Sequence, residues 1–309
     1  MALIGLASIL FLIVFLELGE RKSSFVKSWL YESNITNELL VATVAMTPDK
    51  DPDITREKIA EFILDIKTTH PRIDLIVFGE VILGWYRAET SEYHERISEY
   101  IPGDTTTLIA TLAKDNNVSV SFGMAEKSGS EIFNSQVLIN NSGEITNVHR
   151  KKKLKSSFFS SGLEPIAFVD IKGVKAVVVI CYDMRWAETI KKAKDSNADM
   201  IILSNADYID DWDDTHFGYR YLAKQYGTWI VTANRYGKEY ETNWDGHIEI
   251  MNPFGDLENS GRQKEQYLIQ TLRINAEQSR GMKFVRRVYS KLSVGYLIIK
   301  HPRIALSYL

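Results

Sequence analysis

The stretch "AVVVICYDMRWAE", Ala176–Glu188, joins a β-branched apolar run to a polar turn at Cys181, the single cysteine among 309 residues. The unbroken apolar run before the cysteine predicts a short buried strand. The charged and aromatic residues after it predict a turn that leads into a helix. The stretch therefore indicates an α/β sheet that carries a thiol at the end of one strand.

The composition is that of a globular protein and argues against several functional classes. A chain of 35.3 kDa with 45% apolar and 25% charged residues can bury a large core. A net charge of −3 argues against a general nucleic-acid binder, which would carry a strongly basic face. One cysteine excludes an intrachain disulfide framework and cysteine-rich metal sites, and no HExxH motif is present, so we expect neither a metal nor a cofactor.

Strands and helices alternate along residues 39–275, which we interpret as one domain. Apolar runs predict strands at 39–46 and 74–78, and the helical spacing of "ITREKIAEFILDIKT" predicts an amphipathic helix between them. Turn residues that separate two β-rich runs in "IFNSQVLINNSGEITNVHRK" predict a hairpin. Helices between some strands and hairpins between others favour two mixed sheets packed face to face and covered by helices.

The amino-terminal segment, residues 1–38, contains fifteen uncharged residues, Ala2–Leu16, followed by Arg21 and Lys22. As a helix this run would cover roughly 23 Å, less than the roughly 30 Å hydrocarbon core of a bilayer. Spanning the membrane, lying along it and docking into an oligomer core all stay open. The run lacks a signal-peptide cleavage pattern, and the basic residues after it predict a cytoplasmic location for the rest of the chain.

The carboxyl-terminal segment, residues 276–309, is predicted to be a basic amphipathic tail. Seven Lys or Arg residues and no acidic residue lie between Arg280 and Leu309, interleaved with apolar side chains. This pattern is typical of segments that bind the surface of an anionic membrane, and a tail wrapped on a partner subunit is the alternative. Because the two termini agree, we expect a membrane-associated protein.

Three polar residues with complementary chemistry follow predicted strands. Glu80 ends "DLIVFGE", Lys151 ends "ITNVHRK", and Cys181 ends "AVVVIC". In open α/β sheets, functional groups collect in the crevice beyond the strand ends. A carboxylate, an ammonium and a thiol are sufficient for acyl transfer. Each residue alone also has an ordinary structural explanation, since a lone cysteine after a strand is commonly a buried, unreactive thiol.

The blocks "FGE", "HRKKKL" and "CYDMRWAE" resemble the three signature blocks of the carbon–nitrogen hydrolase (nitrilase) superfamily, in its amidase-like branch. Flanking blocks, "LAKQYGTWIVTANRYG" and "GHIEIMNPFGDL", are similar to family patterns and occur in the expected order. The resemblance implies a four-layer α-β-β-α sandwich and hydrolysis of a non-peptide carbon–nitrogen bond in an amide or nitrile. It also implies a homo-oligomer, a dimer or larger.

The same resemblance assigns roles to residues. Glu80 would be the general base and acid, Cys181 the nucleophile that forms a thioester, and Lys151 the cation that faces the developing oxyanion. The backbone N–H of Tyr182 would be the second oxyanion donor. The family's lysine directly follows an arginine, which favours Lys151, and Lys153 is the alternative because it would lie on the same side of a continuing strand.

Further residues are expected to support the turn after the cysteine. Asp183, Arg185 and Glu188 are predicted to be structural, with Arg185 paired to a carboxylate; alternatively, Arg185 binds a carboxylate of the substrate. Asn134 and Asn234 are predicted to be structural hydrogen-bonding residues. Aromatic residues in two loops suggest an aromatic-lined pocket: Trp85, Tyr86, Tyr208 and Trp212.

One position departs from the family pattern. A second glutamate usually follows the lysine block, but Lys155 occupies its place here, and Ser161 replaces a proline. Loss of that carboxylate could weaken or redirect the activity. Glu126 and Glu164 are candidate substitutes, although nothing in the sequence places either in the pocket.

Three functions stay open on the sequence. The first is a thiol amidase that acts on a small or lipophilic amide at the cytoplasmic membrane. The second is a membrane-bound N-acyltransferase that uses the same three residues, although family members of that kind carry several transmembrane helices. The third is a catalytically impaired scaffold that forms membrane-bound oligomers. The three intact signature residues count against the scaffold, and Lys155 in place of the second glutamate counts for it.

Overall fold

The computed structural model describes residues 35–87, 90, 92–154, 157–185, 198–208, 212–274, 291–292 and 294–305. The helices are α1 (Pro52–Thr69), α2 (Glu92–Ile97), α3 (Asp104–Asp115), α4 (Trp212–Tyr226) and α5 (Pro302–Ala305), and a 3-10 helix covers Cys181–Arg185. The strands are β1 (Asn37–Met46), β2 (Leu75–Val77), β3 (Ser119–Ser128), β4 (Glu131–Ile139), β5 (Ile145–Arg150), β6 (Phe168–Ile171), β7 (Val174–Ile180), β8 (Met200–Ser204), β9 (Trp229–Glu239), β10 (Thr242–Asp245), β11 (Ile248–Met251), β12 (Leu257–Gly261) and β13 (Gln266–Ile274).

The strands form two mixed sheets that join at one corner. The first has the order β5-β4-β3-β2-β1, with β13 antiparallel to β1. The second has the order β6-β7-β8-β9, with β11 and β12 continuing from β9. Parallel pairing of Ala45 with Asn234 and of Met46 with Arg235 connects β1 to β9. Strands with helical crossovers are parallel and hairpin neighbours are antiparallel, as short connections require.

The core is divided into three layers by these sheets. Alternate residues of β1 point to opposite faces, so that Val44 joins the core under α1 and α3 while Val41 joins the core between the sheets. A third cluster, which includes Val179 and Tyr219, packs α4 on the outer face of the second sheet. The layers are therefore helix, sheet, sheet and helix, which agrees with the predicted α-β-β-α sandwich. Both faces of the central strands are covered, which explains their unbroken apolar sequences.

The predicted hairpins and crossover helices are present, with small differences at their ends. The hairpin of β4 and β5 lies where its turn residues predict it, and a second hairpin joins β6 and β7. The strand predicted at 74–78 is shorter, Leu75–Val77, because the chain bends toward β3 and β8 beyond it. The predicted helix at 186–197 lies outside the described residues.

The terminal predictions are tested only in part. The apolar amino-terminal segment lies outside the described residues, as do residues 275–290 of the predicted tail. Part of the remaining tail packs on the chain itself, where Leu297 is buried against Phe217 of α4 and the ring of His301 contacts the same phenylalanine. No helix within the described ranges is long and apolar enough to cross a membrane. Membrane association and the boundaries at residues 38 and 276 stay predictions.

Candidate active site

Glu80, Lys151 and Cys181 converge at one end of the sandwich. They follow β2, β5 and β7 respectively, and the backbone N–H of Glu80 donates to the carbonyl of Asn205 just beyond β8. Lys151 Nζ donates to Glu80 Oε1 at 2.6 Å, and Asn134 Nδ2 donates to the same oxygen at 2.6 Å. Glu80 is 0% exposed and Lys151 is 1% exposed. The carboxylate and the ammonium therefore form a buried, directly bonded pair.

The loop after Glu80 is held in a strained turn. Val81 has a φ of 45°, a conformation that costs a β-branched residue about 1–3 kcal/mol and persists only when neighbours enforce it. Arg235 enforces it, because Nη1 donates to the carbonyl of Glu80 at 2.8 Å and Nη2 donates to the carbonyl of Gly84 at 2.6 Å. A Cβ at Gly123 would collide with the backbone nitrogen of Val81, so glycine permits this loop to rest on β3.

Lys151 is placed by a carboxylate from the cysteine turn. Asp183 is fully buried, and its Oδ1 accepts the backbone N–H of Lys153 at 2.7 Å and of Lys152 at 3.1 Å. His149 Nε2 lies 3.0 Å from Oδ2 of the same carboxylate. Asp183 thus ties the segment that follows β5 to the turn that carries Cys181. Asp183 was predicted to support the turn after the cysteine, and these hydrogen bonds are the contacts through which it acts on that turn.

Cys181 begins a 3-10 helix directly after β7. Its φ of 43° makes the chain turn sharply, at a cost of about 1–2 kcal/mol for an L-residue. A strained strand-to-helix turn presents a nucleophile at the top of a sheet. The thiol is half-buried and free of disulfide bonding. Tyr182 is the next residue of the 3-10 helix, as an oxyanion donor would have to be, and its role there stays a prediction.

The charges of the pair act on the thiol. Burial raises the pKa of Cys181, the positive charge of Lys151 partly offsets that rise, and the carboxylate of Glu80 adds to it. Burial alone would lower the pKa of Lys151, but the Glu80 carboxylate and the Cys181 thiol outweigh it, so that this pKa is raised. The resting site therefore contains a neutral thiol and a charged lysine, and the thiol needs a base when it attacks.

A second carboxylate next to the thiol was missed by the sequence interpretation. The Cys181 thiol donates to Oδ1 of Asp207, with Sγ 3.8 Å from that oxygen. Asp207 is 7% exposed and lies beyond β8. Asn234 Oδ1 accepts the backbone N–H of Asp207 at 3.1 Å. The signal available was a polar residue three positions after an apolar strand, "MIILSNAD", the same feature that identified Glu80.

Aromatic residues form a wall around Tyr86, which interacts electrostatically with Glu80, Lys151 and Cys181. The ring of Trp244 lies edge-on to Tyr86 at 5.8 Å and stacks on Tyr208 at 5.1 Å. The guanidinium of Arg87 lies over the rings of Tyr86 and Tyr208 and donates to the Tyr208 hydroxyl. Sequence reasoning proposed the two tyrosines but missed Trp244 and Arg87. Trp85 instead lies under Lys50, and the side chain of Trp212 lies outside the described part.

The candidate substitutes for the second glutamate both bind Arg150. Glu126 accepts from Arg150 Nη2 at 2.5 Å and from Ser135 Oγ at 2.6 Å, and Glu164 Oε1 accepts from Arg150 Nη1 at 3.0 Å. Among the described residues, neither carboxylate forms a hydrogen bond or an ion pair with Lys151. The structure therefore places both on the arginine that precedes the lysine. Lys155, Glu188 and the side chain of Arg185 lie outside the described residues.

Other features of the described chain lie away from these residues. A cavity of about 470 Å³ opens near the start of β2, between Asp74 and Lys172, and none of the three predicted site residues lines it. Glu80 follows the opposite end of that strand. Within the described ranges, no group of His, Cys, Asp and Glu has an arrangement that could hold a metal ion.

One protein family and several individual proteins are similar to this chain. The family described as carbon–nitrogen hydrolase matches residues 40–275. A nitrilase of Pyrococcus abyssi is 28% identical over 249 residues, which cover 76% of this chain and 93% of the relative. A 2-oxoglutaramate amidase of Bacillus subtilis is 23% identical over 67% of this chain and 80% of its own length. An (R)-stereoselective amidase of a Pseudomonas species is 26% identical over 74% and 84%.

Solved structures share the fold at lower identity. Nit3 of Saccharomyces cerevisiae, described as a member of branch 10 of the nitrilase superfamily, superposes with a TM-score of 0.71 at 19% identity. The match covers 82% of this chain and 95% of that one. An amidase from Nesterenkonia sp. superposes with a TM-score of 0.67 at 17% identity and covers 81% and 96%. At such identities the likeness concerns the fold alone.

Proposed function

Because the chain belongs to the carbon–nitrogen hydrolase family, we propose that it hydrolyses amides through a thioester on Cys181, with nitriles as a second substrate class. The observation that carries the proposal is the buried contact of 2.6 Å between Lys151 Nζ and Glu80 Oε1, whose charges both act on the Cys181 thiol. A carboxylate, a cation and a nucleophile are thereby combined in one place.

In the acylation step, Glu80 takes the thiol proton as Cys181 Sγ attacks the amide carbon. Glu80 Oε2 has no hydrogen-bond partner within the described part of the chain, which leaves it available for a proton. The carbonyl oxygen becomes negative, and Lys151 and the backbone N–H of Tyr182 stabilise that charge. Glu80 then returns the proton to the nitrogen as the carbon–nitrogen bond breaks, and ammonia or an amine leaves.

In the deacylation step, Glu80 takes a proton from water, which attacks the thioester carbon. The carbon–sulfur bond breaks, the thiolate recovers a proton, and a carboxylic acid leaves. Lys151 stays charged throughout, because the negative charge of Glu80 outweighs the effect of burial and raises the pKa of Lys151. It therefore acts as an electrostatic group and not as a proton donor. One amide and one water yield one acid and one ammonia or amine.

The buried pair also argues against a scaffold that has lost its activity. Taking Glu80 and Lys151 out of water costs several kcal/mol per ion, so that a buried pair is weak support for stability. A scaffold gains nothing from such a pair that apolar side chains would not supply. We expect the pair in a chain whose activity requires it.

The wall beside the triad bears on the substrate. One relative is named a 2-oxoglutaramate amidase, and another is named an (R)-stereoselective amidase. In this chain Tyr86 lies next to the triad, Trp244 packs against Tyr86 and Tyr208, and Arg87 lies over the two tyrosine rings. We propose a small amide whose acyl group packs on these rings, with ammonia as the leaving group.

Trapping the intermediate tests the proposal. The chain is incubated with a panel of primary amides and nitriles, and ammonia release is measured alongside intact mass. The unaltered chain should release ammonia and carry a transient acyl adduct on Cys181 in rapidly quenched samples, and Glu80→Gln should lose both, because acylation lacks its base. Glu126→Gln is the matched control, since Glu126 binds Arg150 and should leave turnover within a few-fold. The absence of turnover across the panel, or an adduct on another residue, would refute the mechanism.

An N-acyltransferase would use the same thioester and pass the acyl group to an amine. Adding a primary amine during turnover distinguishes the two, because hydrolysis predicts free acid at an unchanged rate. A new amide product formed faster than the acid would favour transfer. Fewer transmembrane helices are predicted here than in the family's acyltransferases, which supports the hydrolase.

Membrane association and self-association are further parts of the proposal. The uncharged run Ala2–Leu16 and the cations of the tail support binding to anionic lipid. Fractionation of the full chain and of a variant lacking residues 1–30 tests this, because the full chain should sediment with membranes and the shortened one should not. Recovery of the full chain entirely in the soluble fraction would contradict it.

Sedimentation of the shortened variant should give a dimer or a larger assembly.

A further inference from the structure

Asp207 is a carboxylate near the candidate nucleophile that the three-residue mechanism does not use. Its Oδ1 accepts a hydrogen bond from the resting Cys181 thiol, with Sγ 3.8 Å away, and its charge adds to the rise in the pKa of that thiol. It is 7% exposed, so its charge is poorly screened by solvent. A buried negative charge next to a nucleophile that must itself become negative is unfavourable for the free enzyme. A compensating function is therefore to be expected.

The carboxylate is fixed by its other oxygen. The hydroxyl of Tyr219, which is fully buried, donates to Oδ2 of Asp207 at 2.9 Å. Asn205 Nδ2 in turn donates to that hydroxyl at 2.6 Å, and Asn234 holds the backbone N–H of Asp207. The position of Oδ1 next to the sulfur is thus determined by buried groups and not by a mobile surface side chain.

The family's second carboxylate is missing from its usual place, where the sequence has Lys155. Glu126 and Glu164, the substitutes that the sequence suggested, both bind Arg150. Asp207 reaches the sulfur from β8, a different strand from those that carry Glu80 and Lys151. Its Oδ1 contacts the sulfur that would carry the substrate.

We infer that Asp207 accepts a hydrogen bond from the N–H of the scissile amide and thereby selects amides over esters and nitriles. This inference rests on the proposed function. A carboxylate only accepts hydrogen bonds, so it attracts an amide nitrogen that has a hydrogen. An ester oxygen at the same place offers no hydrogen and meets a negative charge. A nitrile nitrogen offers none either.

The selection acts without a change in the bonds that form and break. Glu80 still moves the proton, and Cys181 still forms the thioester. Asp207 holds the nitrogen by a charge-assisted hydrogen bond until that nitrogen leaves. Removing a bond of this kind typically lowers the preference for the bonded substrate by 10-fold or more, because a buried partner is then left unpaired.

The test compares propanamide, methyl propanoate and propanenitrile, which share an acyl skeleton. Asp207→Asn should lower kcat/KM for the amide by about 10- to 100-fold and change that for the ester by less than about 3-fold. Tyr219→Phe is the matched control, because it removes the donor to Oδ2 but keeps the carboxylate. It should retain more than half of the preference for the amide over the ester.

A second readout does not need turnover. The pH dependence of Cys181 alkylation by iodoacetamide should shift to lower pH in Asp207→Asn, by about one unit, since one nearby negative charge is gone. Equal loss of amide and ester hydrolysis would overturn the inference and assign Asp207 a structural or general-base role. If the unaltered chain hydrolyses neither substrate, the proposed function fails and the substrate selection fails with it. A shifted alkylation profile would then still support an action of Asp207 on the thiol, and an unshifted one would overturn that as well.

Discussion

The two segments that present Glu80 and Lys151 are fastened in different ways. The loop after Glu80, residues 80–87, is held from behind by Arg235, which is fully buried and paired with the equally buried Glu239. The segment after β5, residues 151–154, is bound by the carboxylate of Asp183, which accepts two of its backbone N–H groups. The first support is an ion pair internal to β9, and the second comes from the cysteine turn itself.

The two segments differ in which of their backbone groups need a hydrogen-bond partner. The loop after Glu80 contains a strained Val81 and sends several carbonyls into the interior, where only strong donors satisfy them. Glu239 completes the support, because its Oε2 accepts the backbone N–H of Tyr86 at 2.8 Å. In the lysine segment, two backbone N–H groups donate to the Asp183 carboxylate. The carbonyls of Lys151 and Lys152 accept from neighbouring groups of the same loop, the Gly162 N–H and the Ser161 hydroxyl. Each segment therefore receives the type of partner that its unsatisfied backbone groups require.

The largest expected effect follows from removing the arginine. Arg235→Met leaves Glu239 charged and unpaired in the interior, together with the carbonyls of Glu80 and Gly84. Breaking a buried pair in this way typically costs about 3–5 kcal/mol. We expect a loss of this size in the free energy of unfolding, measured by urea denaturation, and no measurable amide hydrolysis.

Lys58→Met is the control for this prediction, because Lys58 also pairs with a glutamate, Glu265, at 2.5 Å but near the surface. A loss below about 1 kcal/mol is expected there. Similar losses in Arg235→Met and Lys58→Met would remove the distinction between the two kinds of support. Hydrolysis that persists in Arg235→Met would show that the position of Glu80 does not depend on the Arg235 side chain.

A smaller and more selective effect is expected at the lysine segment. Asp183→Asn weakens the hydrogen bonds to Lys152 and Lys153, so we expect kcat/KM to fall about 10- to 100-fold as Lys151 loses its position. The free energy of unfolding should fall by about 1–3 kcal/mol. Asp170→Asn is the matched control, since Asp170 accepts the N–H of Gly173 in an exposed turn. A loss of stability with unchanged kcat/KM would make Asp183 purely structural.

Much of this arrangement was predictable from the sequence because it depends on local chemistry. Strands end where apolar runs end, so Glu80, Lys151 and Cys181 could be placed at strand ends. The sandwich followed from helices and hairpins that alternate between strands. The choice of Lys151 over Lys153 rested on the family pattern, and in the structure Lys151 is 1% exposed while Lys153 is half-buried.

The parts that sequence reasoning missed depend on long-range contacts. Asp207 approaches Cys181 only because β7 and β8 pair in parallel, with Ile180 beside Ser204. Arg235 acts on a loop that lies about 150 residues earlier in the chain, so no local pattern announces its role. The ring of Trp244 reaches the wall through β10, a strand that pairs with the end of β9. Such contacts follow from register, which a single sequence leaves open.

His94 lies between the loop after Glu80 and Phe158, and it supplies the smallest predicted effect. Its ring stacks on Phe158 at 4.8 Å, and its Nε2 lies 3.1 Å from the carbonyl of Tyr86. Burial lowers the pKa of His94, although the carbonyl of Tyr86 partly opposes this change. The neutral ring is therefore favoured in the folded state. The stability that it contributes is complete above the unfolded pKa, about 6.5, and is lost as the pH falls below that value.

The free energy of unfolding should accordingly decrease below pH 6.5, by at most about 1.4 kcal/mol per pH unit from this one residue. His94→Gln keeps a donor for the Tyr86 carbonyl but cannot gain a proton, so its decrease between pH 8 and pH 5.5 should be smaller by that amount. Hydrogen exchange should report the loosening in residues 80–87 and 158–159 together, since the ring contacts both. Parallel pH dependences for the two proteins, or loosening confined to one of these stretches, would mean that His94 does not couple them.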